Sequence, residues 1–147
     1  MTRDRYGART GTGGFTLVEL MAVLLIIAVL TGLAWPAYRE QVMKTRRSNG
    51  MTALVELAAH MELYYADHGT YAGATLGTMA GNLFPATTPD GHYRLAITAQ
   101  NALNFKIIAA PTTRGNQHRD RCGTFTLDSL GNRGLSAHAA GISQCWR

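Results

Sequence analysis

One acidic residue lies inside a long apolar segment near the N-terminus. Glu19 falls within the run from Phe15 to Tyr38, which directly follows Gly13 and Gly14. A carboxylate near the middle of a membrane helix costs about 2.5–3.5 kcal/mol on insertion scales and usually marks function. An amino group is the simplest group that would neutralise it. Cleavage between Gly14 and Phe15 would create such an amine four residues before Glu19, on the same face of a helix.

Two ordinary explanations of this segment leave Glu19 unexplained. A cleaved secretory signal begins with basic residues, which Arg3, Arg5 and Arg9 would supply, but Glu19 interrupts the apolar core and the run is long for a signal. A plain single-span anchor fits the length, since about 20 apolar residues cross a bilayer. It does not account for the acid or for the glycines before Phe15. The pattern therefore favours a processed N-terminus.

The second chemically informative pair is Cys122 and Cys145, the only cysteines of the chain. An even pair in a domain outside the cytoplasm is typical of a disulfide, which would stabilise the fold by roughly 3 kcal/mol in the chain-entropy model. Metal binding is the competing use. Two cysteines without a paired histidine make a poor zinc site, and His118 and His138 are too scattered to complete it. The pattern favours a disulfide loop over 122–145.

No arrangement of nucleophile, base or metal ligands stands out, so the sequence predicts neither an enzyme nor a bound cofactor. The five histidines occur in unrelated contexts. Four arginines could form a basic patch beside the disulfide loop, but no aromatic residue interleaves with them at a spacing that suggests base stacking. We interpret them as part of a solvated loop, with nucleic-acid binding as an unsupported alternative. These residues are Arg114, Arg119, Arg121 and Arg133.

A long helix is the element that must position Glu19. The chain has 147 residues and a net charge of +5, and the part after Tyr38 suffices for one globular domain. The helix is predicted to begin near Phe15, to span a membrane with its first half and to continue to about residue 66. Apolar residues then recur at three- and four-residue steps, which indicates one buried face. They are Leu54, Leu57, Ala58, Met61 and Tyr65.

Two places in this helix are predicted to be weak. Pro36 removes a backbone donor and clashes with the carbonyl of Gly32, itself a poor helix former. We therefore predict a kink over 28–36. Asn49-Gly50 favours a turn, but we expect the helix to continue through it with a local soft spot.

The second half of the chain reads as a loop followed by strands. Residues 67–91 are rich in Gly, Ala, Thr and Pro and predict a long connection. Alternating or apolar segments predict strands over 92–98, 103–110 and 122–128, with a short fourth near Leu135. The predicted fold class is α+β, with one long helix packed on an antiparallel sheet of about four strands.

The segment from Gly14 to Leu30, GFTLVELMAVLLIIAVL, resembles the N-terminus of type IV pilins. The resemblance implies that a prepilin peptidase removes the leader, residues 1–14, and methylates the amine of Phe15. It also implies that the helix over 15–38 holds the protein in the inner membrane and later enters the filament core. The remaining domain, 39–147, would be periplasmic before assembly and extracellular in the pilus afterwards.

The C-terminal sequence DRCGTFTLDSLGNRG and the ending Cys145-Trp146-Arg147 are most similar to PilE-like minor pilins of type IVa systems. This resemblance implies that other pilin subunits and an inner-membrane assembly platform are partners, with Glu19 as an assembly contact. It implies adhesion, twitching motility and DNA uptake as roles of the whole pilus. A major pilin and a type II secretion pseudopilin share the N-terminus and remain alternatives. A membrane-anchored module that binds DNA or a surface is the alternative from another class.

Overall fold

The computed structural model describes residues 14–136 and 141–146, so the predicted leader lies outside the described residues except for Gly14. The chain divides into two units, Met1–Arg39 and Glu40–Arg147. The elements in chain order are helix α1 (Leu17–His68), strands β1 (Tyr93–Gln100) and β2 (Phe105–Pro111), the 3₁₀ helix η1 (Arg114–Arg119), strands β3 (Thr124–Asp128) and β4 (Arg133–Ser136), and the short helix α2 (Ile142–Cys145).

The four strands form one antiparallel sheet in the order β1-β2-β3-β4. Ile97 pairs with Ile107, Ile107 with Leu127, and Leu127 with Arg133. Each strand thus lies beside its neighbour in the sequence. This arrangement, together with the long helix, confirms the predicted α+β fold.

The turn between β1 and β2 has the predicted length but lies two residues further along the chain, over 101–104 instead of 99–102. The Asn101 side chain accepts hydrogen bonds from the backbone N–H groups of Leu103, at 2.9 Å, and Asn104, at 2.8 Å. An asparagine that bonds to the backbone two residues further on stabilises a turn. The second strand therefore begins at Phe105 instead of residue 103.

The core lies between α1 and one face of the sheet. Leu54, Leu57 and Met61 of α1 are fully buried, and Ala58 and Tyr65 are partly buried against them. The strands contribute every second residue, as expected when one face of a sheet is covered. These strand residues are Tyr93 and Leu95 of β1, Phe105, Ile107 and Ala109 of β2, and Phe125 and Leu127 of β3. The predicted helical stripe is therefore the core face of α1.

The connection between α1 and β1 has little regular secondary structure, whereas the connection between β2 and β3 contains a helix. The segment between α1 and β1 has only isolated bridges among its described residues, Leu76 with Phe84 and Thr87 with Arg94. The connection between β2 and β3 contains η1. The reason is that Gln117 is fully buried and its neighbours close short backbone hydrogen bonds around it, including His118 N–H to the Thr112 carbonyl at 2.9 Å.

Gly50 is a close-packing position inside an unbroken helix. The helix α1 continues through it, as predicted. A Cβ atom at Gly50 would lie 2.8 Å from Cγ and Cδ2 of the Tyr93 ring, which is fully buried. The glycine that local propensity marks as a soft spot therefore lets β1 approach α1.

We expect Gly50→Ala to destabilise the globular unit. Overpacking costs about 1–3 kcal/mol. We expect this cost to exceed the gain of about 1 kcal/mol in helix propensity, because the Tyr93 ring that the new Cβ would meet is fully buried. Thermal unfolding of the full chain in detergent would measure the loss. Gly32→Ala is the matched control, since a Cβ at Gly32 meets nothing within 4 Å. Equal unfolding midpoints for the Gly50 variant and the parent would contradict the packing argument.

Candidate functional site

The N-terminus of α1 is capped by a hydroxyl next to the predicted cleavage position. The Thr16 Oγ1 atom accepts the backbone N–H of Glu19 at 3.2 Å, and the Thr16 carbonyl accepts that of Leu20 at 3.1 Å. Threonine is a preferred N-cap residue. The Thr-x-x-Glu spacing, a known helix-start signal, could have revealed this cap from the sequence.

Glu19 itself lies in the first turn of α1. The residue is exposed, and within the described parts of the chain no side chain or backbone group donates a hydrogen bond to its carboxylate. Phe15 is 82% exposed. Both residues therefore lie exposed at the start of α1 within the described part of the chain.

The helix that follows is apolar and uncovered within its own unit. It contains an 18-residue window with a mean hydropathy of 2.6, of which 0% is buried, so it is long and apolar enough to cross a membrane. The helical backbone runs without interruption through Gly32 and Pro36. Thr31 donates its hydroxyl to the Ile27 carbonyl at 2.7 Å, in the turn before the proline. The kink over 28–36 stays a prediction.

The two cysteines form the predicted disulfide. Cys122 and Cys145 are bonded with an S–S distance of 2.05 Å, and both are buried. The closed segment contains β3, β4 and α2, while its residues 137–140, including His138, lie outside the described residues. The bond joins the start of β3 to the C-terminal helix.

Trp146 holds the end of the described chain against the sheet. Its indole N–H donates to the Gly134 carbonyl of β4 at 3.0 Å, and its ring packs edge-on against Phe125 at 5.4 Å. The Arg133 guanidinium lies over the same ring, 5.2 Å from its centre, within the range of a cation–π contact. Sequence spacing missed this aromatic neighbour because Arg133 and Trp146 are separated by most of the disulfide loop.

Three of the four candidate arginines gather at η1, and the fourth does not. Arg114 and Arg119 begin and end this helix, and Arg121 follows two residues later, whereas Arg133 lies on β4. Arg46 of α1 joins the group, since its Nη1 atom donates to the Gly115 carbonyl at 2.9 Å. We call Arg46, Arg114, Arg119 and Arg121 the η1 basic surface. Sequence reasoning missed Arg46, which contacts residues far away in the chain.

A buried polar network lies beneath this surface. Arg47 of α1 donates through Nε to Asp120 Oδ2 at 2.7 Å and through Nη2 to Glu40 Oε1 at 2.8 Å. The hydrogen bond from Arg47 lowers the pKa of Glu40 below its usual range. Burial raises the pKa of Tyr93, whose hydroxyl accepts from Gln117 at 3.2 Å. The network joins α1, β1 and the segment that follows η1.

The remaining titratable residues of the described chain were compared with the requirements of a metal site. In residues 14–136 and 141–146, no three His, Cys, Asp or Glu side chains come together in a way that could hold a metal ion. His92 contacts the Arg114 carbonyl at 3.1 Å, and His68 stacks on Tyr64 with ring centres 4.1 Å apart. These described histidines have structural contacts.

The long apolar-to-amphipathic helix, the four-stranded antiparallel sheet and the C-terminal disulfide define a type IV pilin fold. The chain belongs to the family whose model is described as "Type IV minor pilin ComP, DNA uptake sequence receptor", which matches residues 36–126. A second model, the prokaryotic N-terminal methylation motif, matches residues 9–35. This is a family of structural pilins and not an enzyme family.

Individual relatives agree with this assignment. The chain is 30% identical over 90 residues to a type IV major pilin protein PilE1 of Neisseria gonorrhoeae, covering 61% of this chain and 41% of that protein. It is 28% identical over 85 residues to the type II secretion system core protein G of Klebsiella michiganensis, covering 58% of this chain and 60% of that protein. The chain thus spans well under two thirds of its curated relatives.

A solved structure supports the fold. The non-core minor pilin PilV of Neisseria meningitidis aligns with a TM-score of 0.53 at 21% identity, covering 69% of this chain and 93% of that chain. At this identity the likeness concerns the fold alone.

Proposed function

We propose that this chain is a minor subunit of a type IV pilus that contacts DNA during its uptake. The observation that carries the proposal is the match of residues 36–126 to the family described as a DNA uptake sequence receptor. The minor role follows the same description, although the relative from Neisseria gonorrhoeae is a major pilin. We therefore interpret the exposed arginines as DNA contacts, instead of as residues of a solvated loop without a ligand.

Assembly begins, in this proposal, with processing of the N-terminus. A prepilin peptidase cleaves between Gly14 and Phe15 and methylates the new amine, which the methylation motif over residues 9–35 supports. The subunit then waits in the inner membrane, with its domain in the periplasm, until an assembly platform moves it into the filament. The Glu19 carboxylate pairs there with the N-terminal amine of a neighbouring subunit.

The η1 basic surface is the region that we assign to DNA. Arg114, Arg119 and Arg121 are exposed, with 60% of the Arg121 side chain accessible, although Arg121 lies 3.6 Å from Glu40. Phosphate contacts from arginine dominate the affinity of proteins for DNA and release bound counterions. Lys106 of β2 and Arg133 of β4 are also exposed, but they lie outside the η1 basic surface.

We expect the double variant Arg114→Gln/Arg119→Gln to weaken duplex DNA binding and to lower its salt dependence. Each lost phosphate contact should reduce the slope of log K against log salt by about 1, so the double variant should lose about 2. Fluorescence anisotropy with a labelled duplex, titrated at several salt concentrations, measures both quantities.

The matched control for this experiment is Lys106→Gln/Arg133→Gln, which removes the same charge from exposed strand positions. It should retain the parent's salt slope. Equal losses in the two double variants would assign the effect to net charge instead of to η1. No salt-dependent binding by the parent would reject DNA binding itself.

A further inference from the structure

Asp120 is a buried acid between two exposed bases. Arg119 and Arg121, its neighbours in the chain, both point to solvent, while the Asp120 side chain is 0% exposed. It is also the residue that directly follows η1, and its backbone N–H donates to the Gln117 carbonyl at 2.9 Å. Its inward orientation therefore leaves both flanking arginines on the outside.

The carboxylate of Asp120 binds groups from four parts of the fold. Its Oδ2 atom accepts from Arg47 Nε of α1 at 2.7 Å, from Gln117 Nε2 of η1 at 3.2 Å and from the Tyr93 hydroxyl of β1 at 3.5 Å. Its Oδ1 atom accepts the backbone N–H of the disulfide residue Cys122 at 3.3 Å. One side chain thus connects η1 to the helix, the sheet and the disulfide.

A contribution to folding stability does not by itself explain the buried ion pair between Arg47 and Asp120. A buried ion pair often contributes no more than well-packed apolar residues of similar volume, because both charges must lose their hydration. Apolar contacts would leave the rotation and register of η1 less defined than a set of directional hydrogen bonds. The hydrogen bonds to the Asp120 carboxylate therefore define the position of η1, which apolar contacts would not.

We propose that Asp120, held by Arg47, is a positioning residue that fixes η1 against α1 and thereby displays Arg119 and Arg121 toward DNA. This inference rests on the proposed DNA-binding function. Asp120 itself touches no DNA, since its side chain is inaccessible.

The charge change of Asp120→Asn provides a sharp test. The substitution makes the protein more positive by one unit, so general electrostatics predicts tighter DNA binding. Positioning predicts the opposite, with an affinity about fivefold to tenfold weaker and a salt slope lower by about 1, because an arginine no longer meets its phosphate. The full chain in detergent is titrated with a labelled duplex at several salt concentrations.

Asp128→Asn is the matched control. Asp128 also accepts several hydrogen bonds, from Leu130 N–H at 3.0 Å and from the Asn132 backbone at 2.9 Å, but in the turn between β3 and β4. The control makes the same change in charge away from η1. It should bind DNA at least as tightly as the parent. Weakening by both substitutions to the same extent would overturn the proposal.

Amide hydrogen exchange gives a readout that is independent of DNA. The N–H groups of Asn116, His118 and Asp120 are hydrogen-bonded within the segment. In Asp120→Asn they should exchange at least about tenfold faster, while core amides of β2 stay protected, as expected for local opening. Unchanged exchange in this segment would overturn the positioning role.

The double variant Arg47→Met/Asp120→Leu covers the case in which a single substitution prevents folding. It removes both charges, leaves the net charge unchanged and avoids the unpaired buried Arg47 charge that Asp120→Asn leaves. Faster exchange at η1 with weaker DNA binding supports the proposal, and parent-like DNA binding overturns it. Where the parent itself binds no DNA, the proposed function fails, while the exchange data still decide whether Asp120 positions η1.

Discussion

Glu19→Ala is expected to abolish incorporation into filaments while leaving the processed subunit in the membrane. In the proposed assembly this carboxylate pairs with the N-terminal amine of the neighbouring subunit, and leaving that charge unpaired among apolar helices would cost several kcal/mol. We expect the amount of this protein in sheared pili to fall at least about tenfold, which corresponds to about 1.4 kcal/mol. Quantitative mass spectrometry of sheared pili and membranes measures the distribution.

Two comparisons make this result specific to Glu19. Glu56→Ala removes an exposed acid of the same helix α1 within the globular unit and should leave incorporation unchanged. Mass spectrometry of the Glu19 variant should still detect a chain that begins at methylated Phe15, because the cleavage position is intact. Normal incorporation of Glu19→Ala would refute the pairing role. Accumulation of the uncleaved chain would instead assign Glu19 to processing.

Replacing both cysteines is expected to give the largest loss of folding stability. The disulfide closes a segment whose ends are 23 positions apart, and a loop of that size stabilises a fold by about 3 kcal/mol. The double variant Cys122→Ser/Cys145→Ser should therefore lose about 3 kcal/mol of unfolding free energy. Denaturant titration of the full chain in detergent measures this difference.

Reducing agent provides the control for the disulfide prediction. The parent should approach the stability of the double-serine variant when reduced, whereas the variant should not respond to reductant. The η1 segment should also exchange faster in the variant, because Asp120 bonds directly to the Cys122 backbone. A parent that keeps its full stability after reduction would show that β3, β4 and Trp146 hold this region without the bond.

The DNA-binding interpretation shows where patterns along the chain mislead. From the sequence, the four arginines could form one patch without an interleaved aromatic residue, and we interpret them as part of a solvated loop. In the structure Arg133 lies apart from η1 and contacts Trp146, while Arg46 of α1 takes a place beside Gly115. Neither relation could be read from spacing, because the partners come from different elements.

Gly50 is a second position at which the local sequence pattern misleads. Local propensity marks Asn49-Gly50 as a weak point of the helix, and the helix nevertheless continues. The sequence does not reveal that the Tyr93 ring packs against Gly50, so closely that its Cγ atom would lie 2.8 Å from a Cβ at this position. A residue that seems to disfavour the helix is explained by what packs against it.

The sequence by itself determined the features that depend on neighbouring residues. The apolar run that contains Glu19, the buried stripe of α1 and the alternation in the strands are all local patterns, and together they predict an α+β fold. The pilin family was indicated by the resemblance of residues 14–30. The tertiary structure alone decided which distant side chains meet. Arg47 and Asp120 are 73 positions apart, and no local pattern brings them together. Such contacts arise only once α1 and the sheet pack, which makes the display of the η1 basic surface a property of the folded chain.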